Sequence, residues 1–213
     1  MNFQEFTIQI SRLKEIPLPG ESAHLEMAPL QRILELKRMA VSQDSAKKAG
    51  VMALFYPGRE YDTKMALILR KTSRDVHSGQ VGFPGGKIEP GDRSFLDTAL
   101  RETEEEIGIQ RSKIDVIRNL TEIYIPPSNF LVYPFMGLLN EFPKFVLQPS
   151  EVEDLIEVNL SEFLDEKAII TKKVNTSYGI NIETPAFYLN DHVVWGATAM
   201  MLSEIRILLK NMD

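Results

Sequence analysis

The chain has 213 residues, 44% of them hydrophobic, enough for one substantial core or for a domain with a helical extension. A formal charge of −6 opposes a general binder of nucleic acid or anionic membrane and points to a soluble protein with a small-molecule partner. The chain has no cysteine, which excludes disulfides and thiolate sites, so any metal must sit on oxygen or imidazole.

The opening MNFQEFTIQISRLKEI carries charges every few residues and has no apolar signal core. No apolar run reaches the length of a membrane span, so the expected location is cytoplasmic. Two amphipathic stretches, 3–15 and 27–42, flank the breaker-rich IPLPGES and predict a helical N-terminal extension over 1–45. From 46 to 213 the pattern is that of one domain. Short strands are expected at 51–56, 64–71 and 80–83, then a helix at 94–107, then strands in LTEIYI, FLVYPFMGLL and EVEDLIEV. KAIITKKV and PAFYLN read as a further pair of strands, and 195–212 as a closing helix. Strands mixed with helices indicate an α/β layered domain.

The helix at 94–107 holds the unusual pattern. Ser94 is placed to cap it, with Asp97 answering three residues later as in a capping box, and Gly108 is placed to end it. Leu96, Ala99, Leu100, Thr103 and Ile107 fall in one arc of roughly 100°, the stripe expected against a core. Glu102 and Glu106 lie beside that stripe, Glu105 further round on the same side, and Glu104 on the opposite flank. Neighbours at this spacing repel, by about 0.7 kcal/mol per pair in a water-like dielectric and about 3 at an effective value near 20. The negative end of the helix dipole adds to the penalty. A hard divalent cation reverses the sign of each of these terms. Acidic runs on helices are usually solvated faces, but here GFPGGKIEPGD lies immediately upstream. It supplies two adjacent glycines and a lysine, so glycine turn, basic residue and carboxylate cluster together suit metal-bound phosphates.

Residues 82–109, GFPGGKIEPGDRSFLDTALRETEEEIGI, resemble the signature of the Nudix hydrolases, which cleave nucleoside diphosphates linked to another group. Asp92 stands where the family usually has glutamate, with one extra residue before Arg101, and Thr103 replaces the usual bulky apolar residue. LRKTSRDVHSGQVGFPGG, 69–86, is similar to the corresponding segment of the coenzyme A diphosphatase branch. Arg70, His77, Gly79, Gln80 and Val81 match that segment, whereas Lys71 and Asp75 stand where it has serine and arginine. AHLEMAP at 23–29, EVEDLIEVNLSEFL at 151–164 and VWGATAMML at 194–202 extend the likeness.

What the resemblance implies is specific. The fold is a Nudix-type α/β/α sandwich around a mixed β-sheet. Mg²⁺ or Mn²⁺ is held by Glu102, Glu105, Glu106 and the carbonyl of Gly85. Arg101 orients these glutamates by ion pairing, and Asp92 and Gly108 complete the motif structurally. A general base lies outside the motif, at Glu151 first and Glu153 second. Arg70, Arg74 and Lys87 are candidates for phosphate contact, with Arg70 and Lys87 in motif positions. His77, Phe83, Phe130, Tyr133, Phe135 and Trp195 read as structural or packing residues. The implied partner is a small nucleoside diphosphate, not nucleic acid or membrane, with the chain acting alone or as a homodimer. Coenzyme A or its thioesters are the expected substrate, with ADP-ribose, NADH or a damaged nucleoside triphosphate as rivals. A non-catalytic ligand sensor is the rival of another class.

Overall fold

A computed structural model describes residues 1–38, 45–71, 79–176 and 179–212, with the side chains of 35–38 excepted. Arg74, Asp75 and His77 lie outside the described residues. The N-terminal part forms α1 (Phe3–Ile10), a 3₁₀ turn over Ser11–Lys14, α2 (Glu21–Glu26) and α3 (Leu30–Arg38). The sequence pattern predicted one helix where α1 and the 3₁₀ turn stand, and missed α2, because Gly20 and the preceding prolines mark a break that ends one helix and starts another.

Eight strands then build a mixed sheet: β1 (Lys47–Pro57), β2 (Thr63–Arg70), β3 (Val81–Gly82), β4 (Gly85–Lys87), β5 (Ile114–Asn119), β6 (Ile123–Ile125), β7 (Phe130–Leu139) and β8 (Val152–Asn159). Its main path runs β3-β2-β1-β7-β5, with β4 on β1, β6 on β7 and β8 on β2. The β1–β7 pairing is parallel and the others antiparallel. β1 is apolar almost throughout because both faces are covered. Met52, Leu54 and Tyr56 pack with Ala99 and Ile107 of α4 (Phe95–Ile107), whereas Ala49, Ala53 and Phe55 face the core shared by α1 and α6 (Gly196–Lys210). The layers are therefore helix, sheet and helices, the α/β/α sandwich expected.

A short α5 (Leu160–Leu164) follows β8. The last strands, β9 (Ile169–Thr176), β10 (Gly179–Leu189) and β11 (His192–Val194), form a separate antiparallel sheet in the order β11-β10-β9. Two strands of the main sheet were invisible to pattern reading. In β4 the glycines have no strand preference and the pairing partner β1 imposes the conformation. In β5 a register shift between Val116 and Arg118 leaves Ile114 and Ile117 buried three residues apart, which erases the alternation of a strand. Of the predicted LTEIYI strand only Ile123–Ile125 pairs. Among the described residues no helix is long and apolar enough to cross a membrane.

One buried carboxylate ties α2 to α6 and to the turn after β5. Glu204 on α6 is 0% exposed and accepts from the Gly20 amide (3.3 Å), His24 Nε2 (3.3 Å), the Thr121 amide (3.1 Å) and Thr121 Oγ1 (2.6 Å). Burial would push its pKa up, but these donors outweigh burial and hold it below the ordinary value. Replacing Glu204 with Leu strands buried donors at about 1–3 kcal/mol each, so urea unfolding should show a loss of at least about 2 kcal/mol. Glu141→Gln, which removes only an exposed pair to Lys113, should leave the midpoint where it is. An unchanged midpoint for Glu204→Leu would mean that this carboxylate does not hold α2 in place.

Candidate metal and phosphate site

Three local devices aim α4. Ser94 Oγ accepts from the Asp97 amide at 3.1 Å, while the Asp97 carboxylate turns outward to the Arg93 amide and side chain, so the predicted box is half made. Gly50 on β1 lets the helix lie close: a Cβ there would collide with the Phe95 carbonyl oxygen. Gly108, at φ 74°, ends the helix in the left-handed conformation. Beyond it the chain folds back, and the amides of Val146 and Gln148 donate to the carbonyls of Ile107 (3.0 Å) and Glu106 (2.9 Å). That return brings Glu151 to the end of α4, where the Lys71 amide fixes its carbonyl at 2.8 Å.

Glu102, Glu106 and Glu151 each offer an oxygen, and these atoms lie within 4.8 Å of one another. Glu106 is fully buried; its Oε2 accepts from the Gly85 amide at 2.8 Å. Its Oε1 is buried without a hydrogen-bond donor, although Arg70 Nη1 stands 3.2 Å away outside hydrogen-bonding geometry. The same Nη1 donates to the Gly85 carbonyl at 3.2 Å. Burial pushes the Glu106 carboxyl up to about 7; Arg70 and the Gly85 amide oppose this, while Glu102 and Glu151 reinforce it. Burial also raises Glu102, against the pull of Arg101. Gly86 leaves room for Glu102, since a Cβ at that position would run into its carboxylate.

Arg101 organises the flank. Its Nε and Nη2 donate to the two oxygens of Asp92 (2.9 and 3.0 Å), its Nη1 to Glu102 and Glu105 (2.9 Å each), and Nη2 again to the Lys87 carbonyl (3.1 Å). The bidentate contact with Arg101, with further bonds from the Glu89 amide and Thr98, holds the Asp92 carboxyl well below the usual range. The shorter side chain and the extra residue before Arg101 thus still permit the pair. Thr103 is buried where the family has an apolar residue and satisfies its hydroxyl on the Ala99 carbonyl at 2.6 Å.

Not every candidate joins the group. Glu105 has a side chain 54% exposed and is turned toward Arg101, outside the group of three. Glu104 pairs with Arg111 at 2.7 Å, and Glu153 is exposed on β8. Arg70 and Lys87 line a cavity of about 940 Å³ that opens beside Gly85 and Gly86. Phe130 and Trp195, expected as packing residues, also line it and are half-buried. Two of its cations, Arg32 and Lys47, escaped sequence reading. Lys47 sits in a polar run before a strand, where a lysine normally signals only solvent; the period-two alternation with Ala49 and Val51 was the signal that could have found it.

The raised carboxyl has a consequence for stability in metal-free protein. The folded state keeps a proton on Glu106 up to about pH 7, whereas the unfolded chain releases it near 4.5. The contribution is therefore fully present below pH 4.5 and lost as pH rises through 7, by about 3 kcal/mol at roughly 1.4 per pH unit. Urea midpoints measured from pH 4 to 8 should fall more for the parent than for Glu106→Gln. Parallel curves would show that Glu106 titrates normally.

A model of the NUDIX domain matches residues 46–176. The chain is 32% identical over 161 residues to "Nudix hydrolase 15, mitochondrial" of Arabidopsis thaliana, covering 73% of this chain and 56% of that protein. It is 34% identical over 144 residues to the "Uncharacterized Nudix hydrolase NudL" of Photorhabdus laumondii, covering 67% and 76%. To the "Peroxisomal coenzyme A diphosphatase ndx-8" of Caenorhabditis elegans it is 27% identical over 180 residues, covering 84% and 75%. It thus spans little more than half the length of the Arabidopsis relative. The crystal structure of a MutT/nudix family protein from Enterococcus faecalis shares the fold, with a TM-score of 0.52 and 16% identity over 92% of this chain and 76% of that one. The chain belongs to the NUDIX family and carries a Nudix hydrolase domain built around α4.

Proposed function

We propose that the chain hydrolyses the diphosphate of coenzyme A or its thioesters, releasing adenosine 3′,5′-bisphosphate and (acyl-)phosphopantetheine. The observation that carries the reading is a fully buried carboxylate, Glu106, grouped with Glu102 and Glu151 and held by Gly85 and Arg70, which line a cavity whose charged lining is entirely cationic among the described residues. The donor set fits a hard divalent cation: the Gly85 carbonyl and three carboxylates, of which Glu106 has an orphaned buried oxygen. Glu102, Glu106 and the Gly85 carbonyl would hold Mg²⁺ or Mn²⁺, with Glu105 on the exposed side. When bound, the cation supplies positive charge for the phosphoryl oxygens and acidifies water.

The remaining roles fall to the chain's own residues. Glu151, the exposed member of the group, is placed to take the proton of the attacking water. Arg101 offsets the repulsion between Glu102 and Glu105 by donating from one guanidinium nitrogen to both. Arg70 balances Glu106 and, with Lys87, offers charge to the phosphates. The coenzyme A assignment is supported by the relative of that name and by the position of the 194–202 segment, whose Trp195, Gly196 and Ala197 line the cavity. Its apolar wall suits a pantetheine arm. The expected compartment is the cytoplasm, and the expected partner is the small-molecule substrate, with the chain acting alone or as a homodimer.

Glu106→Gln keeps shape and removes charge, so kcat should fall more than about 100-fold, beyond what loss of an outer-sphere contact produces. Glu104→Gln should keep parental activity. Equal losses at the two positions would overturn the helical-face argument, and full activity in excess chelator would remove the cation from the mechanism.

A panel of coenzyme A, acetyl-coenzyme A, ADP-ribose and NADH with Mg²⁺ or Mn²⁺ tests the substrate. The highest kcat/KM is expected on a coenzyme A compound. Faster cleavage of ADP-ribose or NADH would sink that assignment and keep the diphosphatase; binding without turnover of every compound would mark a ligand sensor.

A further inference from the structure

The cavity beside the glutamates has a charge pattern opposite to that of the chain. The chain carries −6, yet the charged residues among the described lining are Arg32, Lys47, Arg70 and Lys87. Two of them are engaged by the fold: Arg32 donates to the Tyr124 carbonyl, and Arg70 to the Gly85 carbonyl beside Glu106. Lys47 and Lys87 have no carboxylate partner among the described residues; the Lys47 ammonium rests 5.7 Å over the Phe130 ring.

Strand register fixes where these two ammonium groups stand. Gly85 pairs with Val51 and Lys87 with Ala49, so Lys87 and Lys47 point to the cavity face with Ala49 and Val51. Lys87 lies two residues, ~6.6 Å, beyond Gly85 along β4. Lys47 is its diagonal neighbour on β1, about 7–8 Å from it and on the side away from Gly85. Gly85, Lys87 and Lys47 therefore form a line leading away from the site of bond cleavage. With the scissile diphosphate at Gly85 and Lys87, the next positive charge is one sugar further on. Lys48 provides the contrast: it is the next residue, equally exposed and equally charged, but it points to the opposite face, 5.6 Å over the Phe95 ring.

We propose that Lys47 selects substrates bearing an additional phosphate monoester on the ribose next to the scissile diphosphate, with Phe130 fixing the ammonium toward the cavity. This rests on the diphosphatase reading and assigns the third phosphate to a residue outside the glutamate motif. A charge-assisted hydrogen bond in a walled cavity is strong enough to decide between substrates that differ by that group alone.

The test compares pairs of substrates that differ in one ribose phosphate: coenzyme A with dephospho-coenzyme A, and NADPH with NADH. For Lys47→Met the ratio of kcat/KM, phosphorylated over unphosphorylated, should fall about 10- to 100-fold in whichever pair is cleaved. Lys47→Arg should keep most of the ratio, and Lys48→Met all of it. An unchanged ratio in Lys47→Met, or an equal fall in Lys48→Met, overturns the proposal. A fall confined to the NADPH pair, with coenzyme A not cleaved, leaves Lys47 in its role and removes coenzyme A as the substrate. If no pair is cleaved, calorimetric affinities for adenosine 3′,5′-bisphosphate and adenosine 5′-monophosphate give the same ratio without turnover, judged by the same outcomes.

Discussion

The guanidinium of Arg101 is the interaction on which the rest of the site depends. α4 carries acidic side chains into its last turns, against both their mutual repulsion and the negative end of the helix dipole. Arg101 answers with a planar fork that reaches Asp92, Glu102, Glu105 and the Lys87 carbonyl together. It ties the loop after β4 to the helix, so the glycine turn and the carboxylates move as one unit. Lysine, a single point charge, has no geometry that would do this.

Glu106 lies outside that clamp. It is buried one turn further on, and its partners are the Gly85 amide and Arg70 from β2. Burying a charge this close to two other carboxylates disfavours ionisation, which is why its proton is held to about pH 7. The fold tolerates the arrangement because α4 is pinned elsewhere. Gly50 admits the helix to the sheet, Gly108 turns the chain, and the amides of Val146 and Gln148 occupy carbonyls that would otherwise end the helix unpaired. The same returning segment delivers Glu151, so closing the helix and completing the carboxylate group are one structural event.

The cavity is assembled from distant parts of the chain: β1 and β4 form its floor, Phe130 and Trp195 contribute to its walls, and α6 closes one side. Glu204 holds α6, α2 and the turn after β5 together through four donors, and the N-terminal helices share the core on the α6 face of the sheet, opposite α4.

The sequence by itself determined the helix of 94–107, its cap, its glycine stop and the face on which Glu102 and Glu106 lie, because these follow from periodicity and local backbone chemistry. The resemblance offered Glu151 and Glu153, both outside the motif, as candidates for a general base; the fold groups only Glu151 with Glu102 and Glu106. Tertiary structure alone decided the rest. The spacing of Arg101 and Glu105 makes them neighbours on one face of the helix, but the loop before it, through Asp92 and the Lys87 carbonyl, fixes where the guanidinium stands and so turns Glu105 away from Glu106 and Glu151. β4 exists only because β1 supplies its partners, and β5 hides behind a register shift. Lys47 looks like solvent-facing charge until the pairing of Ala49 with Lys87 places it in the cavity. Local interactions fix what a segment is; which charges meet depends on contacts between segments far apart in the chain, and these are made only when the layers close.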